Sequence, residues 1–476
     1  MNFHARYAGL DPVETCLVGS GAFGRSFLAQ SRRSRLVRAR IAVDLDREAA
    51  AHALAAAGTD PRTIAVCASA AEARAAWAAG QAIAAGSLET VMDLPFTVLV
   101  EATGAPEAAT RHAELAIEAG RHVALVSKEA DSVVGPGLWR EAKIRGLVVT
   151  PVDGDQPSLL IGLATWAETL GFEIVAAGKS SEYDFVLDRA TGAVTCNGET
   201  HRLPDLLAAW EPGADGLPAA AAERARILGT RFPLRAVPDL CEMALVANAV
   251  GLAPDRPDFH APPARIPEIA ALFAEGSGLL AGPRRVDVFH HLRLADEASF
   301  AGGVFAVVRC GDGPAEAETW SMLADKGHVV SREAGTAALY LPRHLLGVEA
   351  ATSILDAAGL GQSGYGDDYR PRQDLIAVAT RDLEAGSCLA MGGHHHSIAG
   401  VGAEMRPGAA LADDRPAPFY LVADRVLTRR VRAGDPVRLA DVAISDDSHL
   451  LRARLRQDAI FADAGTPDGP LGRVRP

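Results

Sequence analysis

Val13-Glu14-Thr15-Cys16-Leu17-Val18-Gly19-Ser20-Gly21-Ala22-Phe23-Gly24 is an apolar run that enters a glycine turn, and a helical pattern follows it over 26–34. The glycines form GxGxxG between a strand and a helix. In that context the first permits the tight turn, the second lets backbone approach a pyrophosphate, and the third allows close packing of helix on strand. Ala22 and Phe23 complete the loop that would bind the phosphates. A second strand-like run, 37–43, ends in Asp44, about twenty residues beyond the loop, where a ribose hydroxyl is bound in such units. A carboxylate there accepts from the ribose diol and repels a 2′-phosphate, so NAD is favoured over NADP; Asp46 and Arg47 blur the preference.

Outward from this stretch the chain keeps a strand–helix rhythm. Helices are expected over 49–57, 69–84 (with Ser69 as N-cap), 106–119 and 138–145, and strands over 97–101, 122–126 and 147–152. Such alternation predicts an α/β fold, a Rossmann-type doubly wound parallel sheet occupying 1–150. From 151 to 372 the rhythm loosens into an α+β domain for substrate and oligomer contacts, with an Ala/Pro/Gly/Arg-rich surface excursion at 184–232. The turn-rich segment 359–372 precedes a small β-rich module at 373–446. There ATRDLEAGSCL (379–389) is echoed by ADRVLTRRVRAGDPVRLADV (423–442). The tail, 447–476, begins helical and ends in Gly/Pro-rich sequence expected to fray.

Composition narrows the function classes. The 476 residues are 49% hydrophobic and 22% charged, an ordinary globular composition, and 47 basic against 60 acidic residues give a net charge of −13. That balance disfavours nucleic-acid or anionic-membrane partners and leaves a small-molecule substrate, with a homo-oligomer expected. The six cysteines contain no CxxC, so neither a disulfide framework nor a cysteine zinc site is indicated and a reduced, cytoplasmic protein is expected. No signal peptide or membrane span is read. Nearly all the basic residues are arginines, the lysines standing only at 128, 143, 179 and 326. An amine can lose its proton when desolvated and a guanidinium cannot, which makes Lys128 and Lys179 candidates for catalysis.

Two turns place chemistry at one sheet edge. Glu101-Ala102-Thr103-Gly104 follows the strand TVLV, where the nicotinamide half of a dinucleotide passes, so Thr103 and Gly104 are candidate cofactor contacts. The next strand ends in Val126-Ser127-Lys128-Glu129, bringing an amine to the same edge; the plainer reading of Lys128 is a surface salt bridge to Glu129 or Glu101.

VEATG followed by VSKEA resembles the homoserine dehydrogenase type of Rossmann domain, in which an Asn-Lys pair after this strand positions the reacting carbonyl or hydroxyl; here Ser127 stands in place of the asparagine. The downstream pieces GDQPS (154–158), AAGK (176–179), CEMALVANAVGLAPD (241–255), GVF (303–305) and PRHLLGVE (342–349) resemble the deoxyxylulose-phosphate reductoisomerase-like proteins. These are a branch of homoserine-dehydrogenase-like oxidoreductases that end in a SAF domain, and the terminal echo matches the SAF pattern. The resemblance implies an NAD(P)-dependent oxidoreductase acting on a small polyhydroxylated acid or sugar phosphate. The alternatives are an NADPH-dependent reductoisomerase and a dinucleotide-binding sensor.

Further candidates come from local context. Lys179 is expected to project from a strand end as an anion clamp or proton donor, and Asp155 and Gln156 to sit in a turn facing substrate hydroxyls, Asp155 among the catalytic candidates. Glu242 and Asn248 lie in an apolar helix-like segment where polar groups need partners. His260, Arg343 and His344 are candidate contacts for an anionic substrate group. In His394-His395-His396, alternate side chains share a strand face, so His394 and His396 could reach one ligand; without a recognisable third metal ligand, a turn of solvated histidines is expected and no metal is assigned.

Overall fold

A computed structural model describes residues 2–276, 278–393 and 396–462. Its first sheet is built from β1 (Val13–Val18), β2 (Val37–Val43), β3 (Ile64–Cys67), β4 (Ala82–Ala85), β5 (Val98–Glu101), β6 (His122–Leu125) and β7 (Val149–Pro151). The order is β3-β4-β2-β1-β5-β6-β7 and every pairing is parallel. After the short α1 (Phe3–Arg6), the connecting helices are α2 (Ala22–Ser31), α3 (Arg47–Ala56), α4 (Ala70–Ala78), α5 (Pro106–Glu118) and α6 (Lys128–Ile144). β1 pairs with β2 on one side and β5 on the other, so the chain reverses its winding there and opens a crevice at the carboxyl ends of the strands.

Three expectations change at element level. The helix read over 69–84 stops at Ala78; Gly80, at φ +74°, ends it, and Ala82–Ala85 becomes a fully buried strand. Alanine favours helix in isolation, but the sheet imposes extended backbone. The strand Ile64–Cys67 carried no periodic signal. The helix read over 138–145 begins ten residues earlier, at Lys128, and continues through Gly135-Pro136-Gly137, which reads as a break in sequence. Ser69 does cap α4, accepting from Glu72 N–H at 3.3 Å.

α7 (Gln156–Thr169) leads into a second sheet centred on β8 (Ile174–Asp188). β8 pairs in parallel with Arg285–Leu294 and antiparallel with Val304–Arg309, which in turn pairs with Thr336–Leu341. Lys179 is therefore not at a strand end. It lies inside β8, flanked by Val288 and Val304, and is fully buried. The 184–232 excursion contains the end of β8, the hairpin Ala193–Cys196/Glu199–Arg202 and the helices Asp205–Ala208 and Gly216–Leu228.

The helix Val237–Val250 packs against α6, α7 and β8, and also against Gln373–Ala379, the first strand of the C-terminal module. Gln373–Ala379 pairs antiparallel with Val401–Pro407 in a four-stranded sheet completed by Ser397–Ile398 and Met391–Gly392. Two segments return to the first domain. Leu346–Val348 packs on α2 and the helix Ala351–Leu360 on β6 and β7, so the end of the 151–372 segment completes the Rossmann core; His449–Ala462 lies on α5 and α6. Among the described residues no helix is long and apolar enough to cross a membrane.

Candidate active site

The glycine loop has the geometry its pattern demands. Gly19 takes φ +97°, and a Cβ there would clash with the Ala102 carbonyl, so the loops after β1 and β5 touch. A Cβ on Gly24 would clash with the Gly19 carbonyl and crowd Leu17 at 3.1 Å. Around Gly21 the space is open, with nothing within 4 Å of an added Cβ, and Gly21 caps α2 without a side-chain hydrogen bond. The first-turn N–H groups of α2, opening at Ala22 and Phe23, therefore border a space suited to an anion. Asp44 holds the loop through one oxygen, Oδ2, which accepts from Ser20 N–H at 2.8 Å and Ser20 Oγ at 2.5 Å. Its other oxygen is left for a diol. These residues fit a dinucleotide.

In the loop after β5, Thr103 Oγ donates to Glu101 Oε1 at 2.6 Å, and Gly104 N–H donates to Ser127 Oγ at 2.8 Å. Glu101 is fully buried and its Oε2 has no partner. Ser127 thus joins the β5 and β6 loops instead of capping α6.

Next to these loops lies a buried charge cluster. Lys128, first residue of α6, pairs with Glu242 Oε1; Lys179, from β8, pairs with Glu242 Oε2. The plainer reading of Lys128, a surface salt bridge to Glu129 or Glu101, does not hold, since its ion pair is with Glu242. Lys179 also reaches Asp239 at 3.1 Å and Glu182 at 3.2 Å. The Gln156 amide nitrogen, in the orientation that satisfies its surroundings, donates to Glu242 Oε1 at 3.2 Å, Oε2 at 3.1 Å and Asp155 Oδ1 at 3.3 Å. Asp155 caps α7, accepting from Gln156 N–H at 3.0 Å, so the expected turn is the start of a helix.

Burial and charge set the protonation states. Burial would lower the Lys128 amine, but Glu242, Asp155 and Glu129 outweigh it and hold it well above its ordinary value. The same contest, won by Glu242, Asp239 and Glu182, raises Lys179. Burial opposes ionisation of Glu242, yet the two amines bring it down to about 2. For Asp239 burial wins over Lys179 and pushes the acid up to about 7. Two ammonium groups are thus matched by Glu242 and Glu182, and the third carboxyl holds its proton most readily.

The structure brings together Lys128, Lys179, Asp155, Gln156 and Glu242. His344 reaches the edge of this group, Nε2 lying 3.6 Å from Asp155 Oδ1. Asn248 does not join it: Oδ1 accepts from Gln373 N–H at 2.7 Å and Nδ2 donates to Gln373 O at 3.1 Å, fastening the C-terminal module. His260 is bonded to Asp255 at 2.9 Å and its N–H to Asp287 at 3.0 Å, while Arg343 pairs with Glu349 at 2.8 Å. Asp239, Glu182 and Glu129 were not singled out from sequence; the i, i+3 spacing of Asp239 and Glu242 on one helix was the available signal. His394 and His395 lie outside the described residues. His396 does not stand free in solvent: its Nδ1 lies 2.6 Å from Glu129 Oε1, while its side chain is 36% exposed. Among the described residues no group of three or more His, Cys, Asp or Glu side chains is arranged to hold a metal ion.

Residues 236–350 match the family described as "Oxidoreductase DRL, catalytic domain". The matched stretch, about a quarter of the chain, contains Asp239 and Glu242. No curated protein shows significant sequence similarity to the chain. Similar solved structures include a DOX-P reductoisomerase with fosmidomycin and magnesium, at 19% identity and a TM-score of 0.27, covering 36% of this chain and 46% of that one. This chain thus spans about half the length of that relative. GenD2 from gentamicin A biosynthesis in complex with NAD is 14% identical, with a TM-score of 0.33 and coverage of 74% and 88%. Dipicolinate-bound dihydrodipicolinate reductase from Paenisporosarcina sp. TG-14 is 11% identical, with a TM-score of 0.31 and coverage of 73% and 95%.

Proposed function

We propose that the chain is an NAD(P)-dependent oxidoreductase that interconverts an alcohol and a carbonyl, with Lys128 as the charge that holds the reacting oxygen. One observation carries the reading: the Lys128 side chain remains 23% exposed at the carboxyl edge of the parallel sheet, while its partner Glu242 and the second amine, Lys179, are fully buried.

Gly19, Gly21, Ala22, Phe23 and Gly24 would hold the pyrophosphate, Asp44 a ribose, and Thr103 and Gly104 the nicotinamide end. When bound, the nicotinamide supplies or accepts the hydride. Lys128 orients a carbonyl and stabilises negative charge developing on its oxygen; the raised amine acts as a fixed cation more than as a proton carrier. Lys179 is a positioning residue, too deep to touch substrate. It neutralises Glu242, and Gln156 steadies the same carboxylate.

NAD is the favoured dinucleotide because Asp44 offers a carboxylate where a 2′-phosphate would sit. The substrate is assigned as a small polyhydroxylated acid or sugar phosphate. A cavity of about 410 Å³ lies between the central domain and the C-terminal module; Tyr183, Arg235, Asp258, Thr380, Ser397 and Glu404 stand on walls that are otherwise apolar, and Lys128 does not line it. The β-rich module itself is assigned to the SAF type on its repeated Ala-Gly turns.

The test is oxidation of NADH or NADPH by the purified chain across a panel of keto acids and phosphorylated or free polyol-derived carbonyl compounds. Turnover with a member of the panel is expected. Failure to bind either dinucleotide would overturn the reading.

A further inference from the structure

The C-terminal module places His396, the residue before Ser397–Ile398, beside the two loops assigned to the nicotinamide end. Nδ1 lies 2.6 Å from Glu129 Oε1, and Glu129, the second residue of α6, is only 4% exposed. The ring covers Gly104 so closely that a Cβ there would clash with Cε1. Gly104 in turn is bonded to Ser127, the residue before Lys128. One imidazole from a separate module therefore lies against the cofactor loop and immediately beside the proposed charge on the reacting oxygen.

We infer that the Glu129–His396 pair is the proton donor of this site, delivered to the Rossmann domain by the C-terminal module. The inference rests on the oxidoreductase reading above, and four observations support it. Lys128 and Lys179 are locked as cations by Glu242, so neither amine offers a ready proton at neutral pH. A carboxylate on Nδ1 fixes the imidazole so that Nε2 is the exchanging nitrogen, the arrangement by which carboxylates orient catalytic histidines. The side chain is 36% exposed, so solvent can return the proton. His396 also adopts φ +47°, in the left-handed region that few side-chain-bearing residues occupy.

Charges from two sides bear on the ring. The hydrogen bond to Glu129 raises His396 above its ordinary value, against burial and the repulsion of Lys128. In the reducing direction a bound dihydronicotinamide would supply the hydride to the carbonyl carbon and be left oxidised. The C=O π pair moves to oxygen, and that oxygen takes the proton from His396 Nε2. Water then reprotonates the imidazole, so each turnover consumes one hydride and one proton.

A purely structural staple between domains is the competing role, and two measurements on the full chain separate it. In cofactor-free protein labelled at histidine, NMR should show His396, assigned by His396→Ala, titrating above the ordinary imidazole value, and Glu129→Gln should shift it downward. Absence of that titration, or no shift, overturns the pair. His396→Asn keeps a donor to Glu129 but cannot titrate; turnover should fall by about a hundredfold or more and the basic limb of its pH profile should vanish, with folding and NADH affinity retained. A variant as active as the parent makes His396 a staple and overturns the inference. If the titration appears but the parent binds neither NADH nor NADPH, the oxidoreductase reading fails and the donor role falls with it.

Discussion

Lys128 and Lys179 aim their amines at the two oxygens of one carboxylate, Glu242, from a helix terminus in the first domain and a strand interior in the second. The carboxylate is fully buried, so the cross-link is a low-dielectric one whose members depend on each other.

Glu242→Gln should therefore destabilise the fold by about 3–5 kcal/mol at pH 7, the scale for leaving buried charges uncompensated. The parent should show an acid limb from the same group. Glu242 lies at about 2 in the fold against an ordinary 4.5, so its contribution is complete above 4.5 and is lost as pH falls toward 2. Urea denaturation across pH checks both, and the Gln variant should lack that part of the limb.

Lys128→Met should leave dinucleotide binding intact and reduce turnover by about two to three powers of ten, the usual effect of removing a preorganised charge from a developing oxyanion. Lys128→Arg keeps the charge and should recover part of the loss. An Arg variant as inactive as the Met variant would return proton transfer to the amine. Lys179→Met, by contrast, should appear as loss of stability, because Asp239, Glu182 and Glu242 would then share a single cation.

The second and third glycines of the loop should fail differently. Gly21→Val meets open space, so the variant should fold normally and lose NADH binding in calorimetry. Gly24→Ala drives a methyl into the Gly19 carbonyl and should lower the melting temperature. Normal NADH affinity in a folded Gly21→Val protein would refute the assignment of this loop.

Asp44→Ala should weaken NADH more than NADPH, since it removes both a diol acceptor and a repulsive charge. It also frees Ser20, whose backbone and hydroxyl Asp44 holds. Fluorescence titration with both dinucleotides reads the difference, and equal losses would remove the NAD preference.

Asp131 gives a pH signature separate from the site. It is buried in α6, where both its oxygens are bonded to tyrosines, Oδ1 to Tyr369 at 2.8 Å and Oδ2 to Tyr365. Burial pushes it up to about 7, above its ordinary 3.8. A raised acid contributes stability that is present below the unfolded value and is lost as pH rises through the folded one. Asp131→Asn should flatten the fall in stability between about pH 4 and 7, measured by thermal unfolding.

What could be read from the chain by itself was whatever depends on neighbours in sequence. The glycine loop, the acid closing β2, the cap at Ser69 and the strand–helix rhythm are local rules of backbone geometry, and they determined the parallel sheet and its dinucleotide loop. The scarcity of lysine pointed to Lys128 and Lys179 without showing what they face. Their shared partner, the removal of Asn248 to a module clamp, the strand made from an alanine run at 82–85 and the approach of His396 to Glu129 were decided only by the tertiary structure. Each sets residues from distant segments against one another. Whether a charge is paired, buried or reactive depends on those contacts through space, which local spacing along the chain does not encode.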